Sequence, residues 1–199
     1  LQRAVAGAWL AALGPIAHAA EREPAAAVPV SPVMRRVSLY ISHALRNPLP
    51  ENVVEHAKHH LIDSLSAMVS GSHLLPGQKA LAYAKTLGGR PEACVAGSRL
   101  TLSLVNAAMI NGMLAHADET DDSHAPSLCH PGCAIVPAAL AMGERHARSG
   151  TEVLRAFVLG YDLCCRFLLA LGPDHVRQTH RSAEGVSSTF GSLGAAASL

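Results

Sequence analysis

Between His116 and His130 the chain reads His116-Ala-Asp-Glu-Thr-Asp-Asp-Ser-His124 and then, six residues on, His130-Pro131-Gly132. Histidines, carboxylates and a hydroxyl in one short segment are the groups that proton transfer uses. An imidazole gains and loses a proton near neutral pH, and carboxylates orient it. The acids Asp118, Glu119, Asp121 and Asp122 follow an apolar helix, where the dipole disfavours negative charge by roughly 0.3–1 kcal/mol each. A requirement for stability alone predicts lysines there. Pro131 suits a first helical turn, so His130 is expected at or near the N-cap of the next helix. The free N–H groups and positive dipole of that helix end make a carboxylate site. The loop therefore fits proton transfer on a carboxylate substrate. Three other readings use the same residues. One is a solvated acidic loop held by capping interactions. Another is a metal-dependent hydrolase with a divalent ion on His116, Asp118, Asp121, His124 and His130, although no helical His-x-x-x-His pair with a third ligand accompanies them. The last is a non-catalytic helical carboxylate-binding protein.

Positioning such a loop requires rigid elements on both sides. Over 199 residues, 49% apolar and 16% charged residues favour a packed core, and only 4% aromatics point to helices in close, small-residue contact. The expected class is all-α, a helical bundle-like domain. Val33 to Leu45 is predicted as a first helix, ended by Asn47-Pro48 and Pro50. Glu51 to Ser70 is a second, with Val53, Ala57, Leu61, Leu65 and Met68 on one stripe and His56, His59 and His60 on or beside its solvated face. Pro76 to Leu87 follows, closed by Gly88-Gly89. Glu92 to Ala96 is a short strand or extended crossing. Leu100 to Ala115 is apolar nearly all round, which predicts a central helix covered on every side. Cys133 to His146 and Thr151 to Leu171 are two more helices. Phe190 to Leu199 is still helical at the last residue, so the domain is expected to be incomplete at its C-terminus.

A net charge of +1 without a basic block removes the footprint of a nucleic-acid binder. Five cysteines, odd in number and without a Cys-x-x-Cys pair, argue against a disulfide framework. Near the start, Arg3 precedes an apolar run from Ala4 to Ala17 and an Ala17-His18-Ala19 cleavage pattern, too short to span a membrane. Residues 1–20 are thus expected to be a leader, 21–31 a linker and 32–199 the helical domain. The start is similar to the tail of a twin-arginine leader, which predicts export to the periplasm; an amphipathic helix on a cytoplasmic protein is the alternative.

The stretch from His116 to His124, then His130-Pro-Gly, then Ile135-Val-Pro-Ala-Ala-Leu-Ala141 resembles the signature of the MmgE/PrpD family. Gly160-Tyr161-Asp162 with Arg166, and Phe190-Gly191-Ser-Leu-Gly194-Ala-Ala-Ala197, extend the resemblance in the same order from about Leu45 to Leu199. It implies a lyase or isomerase of the 2-methylcitrate dehydratase and cis-aconitate decarboxylase type. Such an enzyme acts beside a carboxylate of a small di- or tricarboxylic acid, without metal or organic cofactor, and commonly as a homodimer. It also implies a second, α+β domain beyond the chain end, carrying active-site lysines.

Carried over residue by residue, the resemblance makes His130 the proton donor or acceptor and Glu119 the acid, where Asp is commoner in the family. Ser123 keeps a hydroxyl in place of threonine after Asp121 and Asp122. His180 is the candidate for a second catalytic histidine, farther upstream of Gly191 than the family pattern. Glu184 is the alternative occupant. Asp122, Ser123, His124 and Arg181 are the expected substrate-binding residues, Arg181 for its bidentate fit to a carboxylate. Gly191 and Gly194 are expected to serve tight helix packing.

Overall fold

The computed structural model describes residues 29–44, 46–117, 119–179 and 191–199. The leader and most of the linker expected before Pro32 lie outside the described residues. The chain divides into two units, Leu1–Arg35 and Arg36–Leu199, and the helices around the histidine-acid loop all belong to the second. Their order is α1 (Pro32–Ala44), α2 (Glu51–His73), α3 (Leu75–Ala84), β1 (Ala93–Cys94), β2 (Thr101–Leu102), α4 (Leu104–Ala115), α5 (Gly132–Arg145), α6 (Gly150–Leu171) and α7 (Pro173–Gln178). A last helical stretch, α8, covers 191–197. The domain is all-α apart from one minimal hairpin, as the composition predicts. Among the described residues no helix is long and apolar enough to cross a membrane.

Helix α4 packs against α2, α3 and α5, burying Ala107, Ile110, Leu114 and Ala115. Helix α2 runs on to His73, past the end expected at Ser70 just before Gly71. Gly71 lies inside the helix because α2 crosses α4 there: a Cβ on Gly71 would fall 2.0 Å from the Leu114 carbonyl oxygen. Absence of a side chain, rather than freedom to take a positive φ, is what this position needs. The chain leaves α2 at Leu74, which turns extended, and Pro76 sits in the first turn of α3.

The helix expected from Leu100 begins at Leu104, because Thr101 and Leu102 pair with Cys94 and Ala93 as an antiparallel hairpin. Asn111 of α4 ties that hairpin down, accepting from Ala96 N at 2.9 Å and donating to the Cys94 carbonyl at 2.9 Å. Glu92 accepts from Leu104 N at 3.1 Å, filling the start of α4, and this contact holds its carboxyl below the usual range. Nor is α4 covered on every side. Val105, Met109 and Met113 are 71%, 41% and 49% exposed and form an i, i+4, i+8 stripe. Apolar periodicity reports the burial that one face needs and is silent on a second apolar face left at the surface.

Helix α6 starts with a capping box, in which the side chains of Ser149 and Glu152 each accept from the other's backbone N–H. Its central turn meets α8 almost backbone to backbone. A Cβ on Gly160 would stand 2.6 Å from the Gly191 carbonyl oxygen, and one on Gly191 2.7 Å from that of Gly160. Gly191 thus serves the close packing expected of it, and Gly194 does the same against Leu163. Asp162 accepts from the Tyr40 hydroxyl at 2.8 Å and from Arg166 Nε at 2.8 and 2.7 Å, fastening the end of α1 to α6. Burial and then the Asp162 hydrogen bond push the Tyr40 hydroxyl up to about 12, so it remains a donor.

Candidate active site

The loop between α4 and α5 leaves the buried end of α4 at His116 and closes on itself through a bridge between His124 and Cys129, with His124 N donating to the Cys129 carbonyl at 2.9 Å. Glu119 takes a left-handed conformation (φ 56°), a region that costs a non-glycine residue about 1 kcal/mol or more. Its carboxylate and the Ser123 hydroxyl stand on the exposed side of the loop.

Two neighbouring carboxylates, both buried, serve two separate groups of partners. Asp121 Oδ1 lies 3.0 Å from His116 Nδ1 and 3.5 Å from His130 Nδ1, and the Asp121 carbonyl is 3.3 Å from the same His130 nitrogen. The two rings stand edge to face with centroids 5.3 Å apart. With the Nδ1 protons facing Asp121, Nε2 of each ring carries the lone pair, the arrangement a general base needs. Asp121 is a positioning residue here: it fixes ring orientation and stabilises the imidazolium that forms on proton uptake.

Asp122 turns to the opposite group. Its Oδ1 accepts from Gly132 N, the first residue of α5, at 2.8 Å. Its Oδ2 lies 3.0 Å from His60 Nδ1, and the Tyr161 hydroxyl hydrogen-bonds the carboxyl. The helix end expected to receive a substrate carboxylate is therefore engaged by the protein's own. Gly132 makes this possible, because a Cβ there would stand 2.4 Å from Asp122 Oδ1 and 2.2 Å from Ser64 Oγ. Burial raises Asp122 above the usual carboxylate range, with the Gly132 N–H and His60 partly opposing it. Burial, and next the Asp122 charge, push the Tyr161 hydroxyl far above the ordinary phenol value, so Tyr161 stays a donor.

The raised Asp122 value has a measurable consequence. The folded protein holds this proton more tightly than the unfolded chain, so Asp122 subtracts stability as pH rises from about 4 through its folded value, and the loss is complete above that value. Asp122→Asn keeps an acceptor for Gly132 N and removes the titration. Urea midpoints measured from about pH 4 upward should fall less steeply for this variant than for the parent.

Beside these groups lies a cleft of about 320 Å³, lined mainly by apolar atoms, with His56, His60, His124 and Tyr161 on its wall. His124 Nδ1 is 2.6 Å from Ser127 Oγ, which is in turn 3.1 Å from Cys129 Sγ. The Cys164 and Cys165 thiols directed at its sulfur hold Cys129 below the ordinary thiol value, and the same contacts push Cys165 up. None of the five cysteines is joined in a disulfide.

Loop, histidine pair and capped helix start all fall in a region that matches a known profile: that of the MmgE/PrpD N-terminal domain, over residues 35–199. The chain belongs to the MmgE/PrpD family. Similar curated proteins are cis-aconitate decarboxylases. That of Aspergillus terreus is 28% identical over 138 residues, which cover 66% of this chain and 28% of that protein. The mouse enzyme is 27% identical over 139 residues, covering 63% of this chain and 27% of the enzyme. The human one is 29% identical over 125 residues, covering 60% and 26% respectively. The chain thus spans between a quarter and a third of the length of the curated relatives it matches.

Of the residues that the MmgE/PrpD resemblance singles out, the structure brings His130 beside Asp121 and His116, and sets Asp122 at the start of α5. Glu119 and Ser123 share the exposed rim, and His124 faces the cleft. His180, Arg181 and Glu184 lie outside the described residues, as does Asp118. Two members of the site were missed from sequence. His60 reads as a surface residue by periodicity, yet it meets Asp122 from α2, more than sixty positions away. Tyr161 lies in the Gly160-Tyr161-Asp162 motif, which carried the family resemblance but pointed to no contact.

Proposed function

We propose that the complete protein is a cofactor-independent lyase or isomerase, dehydratase- or decarboxylase-like, acting on a small di- or tricarboxylic acid. The observation that carries this reading is the convergence of His116 and His130 on the buried carboxylate of Asp121. His130 moves the proton at the carbon next to the substrate carboxylate, with Glu119 and His180 as its partners in catalysis. Ser123, Asp122, His124 and Arg181 hold the acid, Asp122 by keeping the loop against α5. Family membership and the cis-aconitate decarboxylases among the relatives support a lyase of this kind. A homodimer and export belong to the same reading. The exposed Val105, Met109 and Met113 stripe supports the first, and the leader-like pattern up to Ala20 the second.

The test uses the complete protein in heavy water with EDTA and a panel of di- and tricarboxylates, followed by proton NMR. Deuterium uptake, water loss or decarboxylation beside a carboxylate, lost in His130→Ala, is the expected result. Turnover that appears only after metal is restored would replace this reading with a metal-dependent hydrolase at the same cluster, for which the spacing of His116, Asp121 and His130 already provides.

A further inference from the structure

The pair of histidines on Asp121 has a geometry that a metal ion can also use. One ring nitrogen of His116, one of His130 and a carboxylate oxygen of Asp121 lie within 4.8 Å of one another. Asp121 Oδ1 stands 3.0 Å from His116 Nδ1 and 3.5 Å from His130 Nδ1. A tetrahedral zinc ion with bonds of about 2.0–2.1 Å sets its ligand atoms about 3.3 Å apart, close to both of these distances. The second observation is independent. Asp121 is 5% exposed, and its Oδ2 has no hydrogen-bond partner among the described residues. A buried carboxylate whose second oxygen lacks a donor keeps charge that a cation on its other oxygen offsets. Two imidazoles and one carboxylate suit zinc, whereas magnesium and calcium prefer oxygen ligands throughout.

We propose that His116, Asp121 and His130 form a divalent transition-metal site, with zinc as its ion, and that occupancy switches the proposed proton transfer off. The second half rests on the function proposed above. Zinc on Nδ1 takes the place of the Nδ1 proton and leaves each ring protonated at Nε2. A neutral ring exchanges one tautomer for the other, and an imidazolium releases one proton to solvent. In either case His130 no longer has a lone pair at Nε2 with which to accept a proton. The fourth position of the ion is left open to water or a carboxylate.

The experiment titrates zinc into the EDTA-stripped protein by calorimetry, and into the heavy-water assay in parallel. One ion per chain is expected, with at least tenfold weaker binding in Asp121→Asn and in His116→Ala. The second variant removes a half-buried side chain at the surface and tests the site where the first fails to fold. His56→Ala/His59→Ala, which removes the exposed histidines of α2, should bind as the parent does. Retention of zinc by both site variants, or its loss in the α2 variant, overturns the site. In the exchange assay zinc should suppress turnover and EDTA restore it. Stimulation by zinc overturns the inhibitory role and the proton-transfer reading together. Absence of zinc binding alongside exchange in EDTA overturns the site alone. One-to-one binding that the site variants lose, with no turnover of any acid in EDTA, upholds the site while the proton-transfer reading fails.

Discussion

His130→Ala is expected to lower kcat of the complete protein by about 10²–10⁴-fold, the usual contribution of a positioned general acid or base. Substrate is held by other residues on this reading, so KM should change little and the loss should appear equally in kcat and kcat/KM. The geometry behind the expectation is the pairing of His130 Nδ1 with both Oδ1 and the carbonyl of Asp121. These two acceptors fix the ring, and with it the direction of Nε2. Asp121→Asn therefore provides a graded comparison. It keeps the volume and removes the charge beside the ring, so kcat should fall by less than in His130→Ala. Steady-state rates of the two variants, with circular dichroism to check that each is folded, decide it. A loss in folded Asp121→Asn as large as in His130→Ala would overturn the positioning role.

The largest expected effect on stability comes from Gly132→Ala. The new methyl would meet Asp122 Oδ1 at 2.4 Å and Ser64 Oγ at 2.2 Å, both on buried side chains. Neither can withdraw freely, because Asp122 is held by Gly132 N and Tyr161, and Ser64 is packed inside α2. Overpacking of this kind costs about 1–3 kcal/mol. Breaking the charge-assisted bond from Gly132 N to Asp122 adds about 1.5–3 kcal/mol. A total of about 2.5–6 kcal/mol corresponds to a fall in Tm of roughly 5–24 °C for a domain of this size. Gly88→Ala is the control, since nothing lies within 4 Å of its Cβ position, and it should change stability by no more than about 0.5 kcal/mol. Thermal melts of the two variants beside the parent decide the matter. A Gly132→Ala protein as stable as Gly88→Ala would show that the loop moves away from α5 without cost. Because the same shift carries His130 and Asp121 with it, a destabilised Gly132→Ala should also lose activity at temperatures where it remains folded.

The sequence by itself determined most of the segments that become helices, α7 excepted, and it placed the histidine-acid loop between two of them. Local forces govern both. Apolar spacing along α2, the proline in the first turn of α3 and the Ser149-Glu152 cap of α6 each act within a few residues, so each is legible in a linear chain. The order of motifs from His116 to Gly194 likewise carried the family, because a family signature is a linear pattern. Errors arose wherever a distant element decided. Gly71 reads as a helix stop until Leu114 of α4 is seen resting on it. Leu100 to Leu102 reads as helix until the strand before it supplies a pairing partner. The start of α5 reads as an open anion site until Asp122, ten residues earlier, is found to fill it.

The site follows the same division. Sequence supplied the residue types and named His130, whereas only tertiary structure divided the adjacent acids between two groups of partners. Asp121 went to the histidines at the two ends of its own loop, and Asp122 to α5 and to His60 on α2. Spacing in the chain does not encode which carboxylate meets which imidazole. That choice follows from where the buried helices fix the two ends of the loop, and from the cost of leaving a buried charge without a partner.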